Sequence, residues 1–100
     1  MHDILEGILP HDLKLILNYF GEKGIVSIDE LNAKISSFCY DLSDSKSKPS
    51  CIVLTREDCN QNAAQMWTFV RLLPFMIGRI VPENDQAWKL FLLLRKFVTS

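Results

Sequence analysis

The most apolar stretch of this chain, residues 62–81 (NAAQMWTFVRLLPFMIGRIV), constrains the fold more than any other segment. Met66 and Val70 follow helical spacing, and further large apolar residues widen the stripe until little polar face remains. A helix that is apolar on nearly every side must be enclosed by other elements. Pro74 removes one backbone hydrogen bond, which predicts either a kink or a junction between two helices.

Two amphipathic helices are predicted before this run. Residues 3–9 give one or two turns, and Pro10 suits the first turn of a new helix better than the interior of an old one. The stripe of that new helix consists of Leu13, Ile16, Leu17 and Phe20, and the helix is predicted to end at Gly21 and Gly24. Ser27 and Glu30 match a capping box, which predicts that the next helix starts there.

A last helix is predicted after the turn at residues 82–85, with Asn84 or Asp85 as its N-cap. Its main face consists of Ala87, Leu90, Phe91, Leu94 and Val98, whereas Trp88, Leu92 and Leu93 lie outside that face. So many apolar residues exceed what a bundle of this size easily covers. The surplus predicts self-association, or a protein partner bound through the face from Leu90 to Val98.

Between these helices, residues 41–50 (DLSDSKSKPS) contain one large apolar residue and four serines, which predicts a disordered loop. Ile52, Val53 and Leu54 predict a short extended segment that packs on the helices, without a clear strand partner. The sequence therefore predicts an all-α fold. We expect a small irregular bundle of four to five helices that forms a single helical domain over residues 1–100.

Composition and charge limit the function classes. A net charge of −1 without a basic cluster offers no direct electrostatic case for DNA binding. Cys39, Cys51 and Cys59 are odd in number and lack a CxxC pair, which favours reduced intracellular thiols over disulfides or a zinc site. The apolar run is shorter than the ~20 residues that span a membrane and contains Arg71 and Arg79, so no membrane segment is predicted.

Few side chains suggest chemistry. His2, Asp3 and Glu6 could act as metal ligands or acid–base groups, but a metal needs three or four convergent ligands, and first-turn acids also stabilise a helix N-terminus. We therefore predict no catalytic residue, metal site or cofactor. Arg71 and Arg79 share roughly one face of a continuous helix and are either candidate phosphate contacts or the solvated edge of that helix. Trp67 and Trp88 stand in aliphatic stripes, which favours the core over base stacking.

The opening Met1-His2-Asp3-Ile4-Leu5-Glu6-Gly7 resembles a motif of CACTA-like (En/Spm-like) DNA transposases from animal genomes. The similarity continues in consistent order through LPHDLKLIL, then DELN at residues 29–32, then QMW, RLLP and IG within residues 65–78. It covers nearly the whole chain. The resemblance implies a helical part of a cut-and-paste transposase that has an RNase H-like core and a metal-dependent carboxylate triad.

No residue of this chain matches the catalytic carboxylates of that family, so His2, Asp3, Glu6 and Gly7 are carried over only as motif positions of unknown role. The resemblance thus implies a transposon-derived fragment that is not an enzyme by itself, lies in the nucleus, and has at most an indirect role in DNA transposition. The alternative is a helical protein–protein interaction module that binds a partner helix. DNA binding separates the two hypotheses.

Overall fold

The computed structural model describes residues 9–53 and 61–99, and across these two ranges it contains helices and no strand. The elements are α1 (Leu9–Glu22), α2 (Ile28–Ser37), α3 (Ala63–Ile77) and α4 (Gln86–Thr99), with a short 3-10 helix at Ser45–Ser47. The predicted all-α fold is confirmed. The turns predicted at residues 3–9 lie outside the described residues.

Helix α1 buries the predicted stripe of Leu13, Ile16, Leu17 and Phe20, together with Leu9 and Pro10 at its start. Pro10 is tolerated there because the amide hydrogen it lacks has no acceptor within the first turn of a helix. Gly24 has a φ of 71°, a left-handed conformation that glycine adopts without strain. The chain turns at Gly24, as predicted, whereas Gly21 lies inside the last turn of α1.

Capping boxes start both α2 and α3. The Ser27 hydroxyl accepts a hydrogen bond from the Glu30 amide at 3.1 Å, and the Glu30 carboxylate accepts one from the Ser27 amide at 3.3 Å. This predicted box is confirmed. Asn62 and Gln65 form a second reciprocal pair at 2.8 and 3.0 Å. Such a cap contributes about 1 kcal/mol, so each helix start is specified locally.

Helix α3 forms the centre of the core, as its sequence predicts. Its buried residues are Met66, Thr68, Phe69, Val70, Leu73, Met76 and Ile77. One helix continues through Pro74 and ends at Ile77, so the predicted alternative of two helices that meet at Pro74 is wrong. Proline costs the helix the single hydrogen bond to the Val70 carbonyl. The buried side chains on both sides of Pro74 hold the helix together there.

The predicted disordered loop at residues 41–50 contains the 3-10 helix and is attached to α3 rather than free of tertiary contacts. The Ser47 and Thr68 hydroxyls are 2.7 Å apart, and Asp44 forms an ion pair with Arg71. Pro49 is buried. Composition alone predicts disorder here because it cannot register side-chain contacts with a distant helix.

The segment that follows is held by one side chain of α2. The Asn32 amide oxygen accepts from the Ile52 amide at 2.6 Å, and its amide nitrogen donates to the Ile52 carbonyl at 3.2 Å. Ile52 is buried in the core, whereas Val53 is exposed and Leu54 lies outside the described residues. Asn32 thus bonds both backbone groups of Ile52, which explains how this segment is held without a strand partner.

Helix α4 is placed by Asp85, one of the two predicted N-caps. Its carboxylate accepts hydrogen bonds from the Trp88 amide at 2.9 Å and from the Tyr19 hydroxyl of α1 at 3.2 Å. Trp88 is buried, as predicted, and stacks on Phe91 with ring centroids 5.1 Å apart. Within the predicted main face of α4, Leu90 is exposed, whereas Trp88, which lies outside that face, is part of the core.

Candidate interaction surface

The largest group of exposed apolar side chains follows one face of α4 and continues onto α1. Leu90, Leu93 and Phe97 are spaced by three and four residues, which places them on one face of the helix. Their exposed fractions are 47%, 58% and 72%, and Leu15 of α1 is 54% exposed. We call these four residues the apolar stripe.

A groove between α1 and α4 joins the two parts of the apolar stripe. It has a volume of about 270 Å³ and is lined by Asp12, Leu15, Ile16, Tyr19, Ala87 and Leu90. The Tyr19–Asp85 hydrogen bond holds the end of α1 beside the start of α4, so the helices run in opposite directions. The antiparallel pairing places Leu15 next to Leu90.

The two long edges of the α4 part of the apolar stripe, which consists of Leu90, Leu93 and Phe97, carry opposite charge. Asp12 lines the groove on the α1 side, whereas Lys89 and Lys96 lie on the other flank of α4. Helix α4 has no acidic side chain. Within residues 9–53 and 61–99, neither Asp12 nor Lys89 forms an ion pair. Both charges are therefore available to a partner.

A second groove on the lysine flank of α4 is lined by Lys89, Leu92, Leu93, Arg95, Lys96 and Thr99. The Arg95 guanidinium donates to the Arg71 carbonyl of α3 at 2.9 and 3.3 Å, so this arginine fastens α4 to α3. Lys89 and Lys96 remain exposed. They form the outward-facing charge of this flank.

The two predicted phosphate contacts lie in different surroundings. Arg71 is ion-paired with Asp44, and its guanidinium lies 5.5 Å from the centre of the partly buried Trp67 ring. Arg79 is exposed but follows the end of α3, so the predicted placement of both arginines on one continuous helix is wrong. The helix ends before Arg79 because the chain turns at residues 78–80.

Three further groups bear on the predicted chemistry. The motif positions His2, Asp3, Glu6 and Gly7 lie outside the described residues. Cys39 and Cys51 are free and exposed, and Cys59 also lies outside. Across the two described ranges, no group of three or more His, Cys, Asp or Glu side chains could hold a metal ion. No helix in those ranges has the length and apolarity to cross a membrane.

Tyr19 links the groove to the start of α4. Partial desolvation raises the pKa of its phenol above the ordinary value, and the hydrogen bond to Asp85 raises it further. The neutral phenol is therefore the form that the fold stabilises. It donates to the carboxylate that caps α4, so the walls of the groove and the N-terminus of α4 depend on the same contact.

Two residues of the apolar stripe escape the sequence prediction. Leu15 falls outside the main face of α1, and Phe97 outside the main face of α4. Their signal is a second apolar face on each helix, which only a packed structure distinguishes from the buried one.

Comparisons with protein-family models, curated proteins and solved structures find no match.

Proposed function

We propose that this chain is a helical protein-interaction module that binds a helical partner through the apolar stripe. The observation that supports this proposal is the continuity of four large, exposed apolar side chains across α1 and α4. Together they expose on the order of 400 Å², within the roughly 300–600 Å² of the largest patch on an ordinary monomer, which is often functional.

The size of the apolar stripe also limits the affinity. At about 25 cal/mol per Å², burial of ~400 Å² on this chain contributes about 10 kcal/mol. Association opposes that gain with an estimated 4–15 kcal/mol of lost translational and rotational freedom. The apolar stripe alone therefore supports weak to moderate binding. Polar contacts around it must supply the remaining affinity and the specificity.

Phe75 provides a matched control for Phe97, because both phenylalanines are 72% exposed but Phe75 lies on α3. A photo-reactive phenylalanine analogue is placed at either position, and the linked protein from cells that express the chain is identified by mass spectrometry. The purified partner is then titrated against Phe97→Ser and Phe75→Ser. We expect linkage at position 97 only.

In that titration, Phe97→Ser should weaken binding at least about tenfold, as expected for a large aromatic side chain that an interface buries. Phe75→Ser should change the affinity by less than about twofold. Equal linkage at both positions, or full affinity of Phe97→Ser, contradicts the proposal. Circular dichroism of both variants checks that each one remains helical.

We propose, as a second candidate, that the chain derives from a CACTA-like transposase and acts in the nucleus without catalytic activity of its own. The ordered motifs from MHDILEG to RLLP and IG support this origin. The engagement of Arg71 by Asp44 weighs against direct phosphate contacts at that position. A gel-shift assay with duplex DNA at low salt tests the DNA role, and no shift at tens of micromolar chain contradicts it.

A further inference from the structure

The charges around the apolar stripe indicate which partner binds there. We infer that the partner is a second copy of this chain, bound about a two-fold axis that runs along α4. The inference rests on the proposed function, since it names what covers the same surface. It is carried by the opposite charges of the two edges, Asp12 on one and Lys89 on the other.

The direction of the axis follows from symmetry. In a two-fold dimer, the same patch of both copies meets, so a contact from residue i to residue j occurs twice. Rotation about an axis parallel to α4 places the acidic edge of one copy over the basic edge of the other. Rotation about an axis that crosses α4 within the interface places Asp12 against Asp12 and Lys89 against Lys89. Only the first arrangement is attractive at both edges.

The positions along α4 also agree. Leu15 lies next to Leu90 and the two helices are antiparallel, so Asp12 lies about one helical turn further along α4 than Leu90. That level is between Lys89 and Lys96, which lie on the other flank of α4. A rotation about an axis along α4 preserves that level. Asp12 of each copy then faces the flank of the other copy that carries Lys89 and Lys96, and Leu90, Leu93 and Phe97 lie between the two charged sides.

The area is sufficient for a dimer of ordinary size. A standard interface buries about 800 Å² per partner, with an apolar centre and a polar rim. The apolar stripe supplies roughly half of that area at the centre. The neighbouring polar side chains of α1 and α4, with Asp12 and Lys89 among them, form the rim.

The first test is a charge exchange, measured by sedimentation equilibrium of the full chain at low salt and tens of micromolar. The unmodified chain should be dimeric. Asp12→Lys and Lys89→Glu each place like charges together at both edges, so each should weaken the dimer at least about tenfold. The double variant, or an equimolar mixture of the two single variants, should regain the original affinity to within about threefold.

The second test determines the direction of the axis. Cys39, Cys51 and Cys59 are replaced by serine, and either Leu90→Cys or Phe97→Cys is introduced. An axis along α4 brings equivalent residues of the two copies together near both ends of the apolar stripe. Mild oxidation should then link the copies at either position. An axis across α4 can bring at most one of the two pairs within the roughly 7 Å between Cα atoms that a disulfide tolerates, because Leu90 and Phe97 lie about 10 Å apart along the helix.

Several results overturn the inference. They are a monomer at every concentration, a dimer that is indifferent to both charge reversals, and binding of the monomer to phosphatidylserine vesicles through the same lysines. Melting curves show whether each variant is folded. A monomer whose position 97 links specifically to another protein contradicts the second copy but leaves the interaction module standing. The two proposals therefore fail separately.

Discussion

The chain has two strongly apolar helices, α3 and α4, and the fold treats them differently. The main contacts of α3 are with α2, α4 and the 3-10 helix, whereas those of α4 are with α1 and α3. Helix α3 buries seven residues, and α4 buries only Trp88, Phe91 and Val98. Apolar content alone therefore does not make a core helix. The number of neighbouring elements decides how much of a helix surface is covered.

The largest expected effect is on the free energy of unfolding, and it should differ between α3 and α4. Phe69→Ala on α3 removes a fully buried ring and should lower the free energy of unfolding by about 3–5 kcal/mol. Phe97→Ala on α4 removes a mostly exposed ring and should change it by less than about 0.5 kcal/mol in the monomer. Urea unfolding of dilute protein measures both. Similar losses in the two variants would show that α4 is covered in the monomer.

A smaller effect on stability tests how the segment around Ile52 is held. Asn32→Ala removes both hydrogen bonds to the backbone of Ile52 and should cost about 1–3 kcal/mol. The exposed Asn18→Ala on α1 is the matched control and should be neutral within about 0.5 kcal/mol. Thermal unfolding compares the two variants. An unchanged melting temperature for Asn32→Ala would mean that the extended segment is held by other contacts.

A third variant tests the placement of α4. Asp85→Ala removes the N-cap of this helix and the acceptor of Tyr19, and a lost N-cap costs roughly 0.5–2 kcal/mol. Asp85→Asn retains a capping oxygen and should recover most of that loss. Circular dichroism with urea measures both variants. Equal stability of Asp85→Ala and the unmodified chain would remove Asp85 as the residue that positions α4.

The smallest expected effect is at alkaline pH. Because the pKa of Tyr19 is raised in the folded chain, its stabilising contribution is complete below the ordinary value of 10.0 and is lost as pH rises through the folded pKa. Burial also raises the pKa of Tyr40, which contributes in the same direction. Urea midpoints between pH 8 and 12 should fall less steeply in Tyr19→Phe. An unchanged slope in Tyr19→Phe, with Tyr40→Phe as the comparison, would exclude a role for the Tyr19 phenol.

The sequence predicted the helices well because their signals are local. The Ser27 capping box, the α1 stripe and the start of α4 all depend on residues three or four positions apart. The candidate site was predicted only in part. The predicted face from Leu90 to Val98 contains the exposed Leu90, but it also contains the buried Phe91 and Val98 and leaves out the exposed Leu93 and Phe97. Periodicity locates apolar faces on a helix, but it does not show which of them a neighbour covers.

By itself, the sequence determined an all-α chain with an enclosed helix within residues 62–81 and an excess of apolar residues in its last helix. Only the tertiary structure decided where that excess is exposed. Phe20 of α1 lies beside the Trp88 ring, with centroids 6.2 Å apart, and this aromatic contact turns Trp88 inward. Leu90, Leu93 and Phe97 then face outward, because one helix cannot place two apolar faces against the same core.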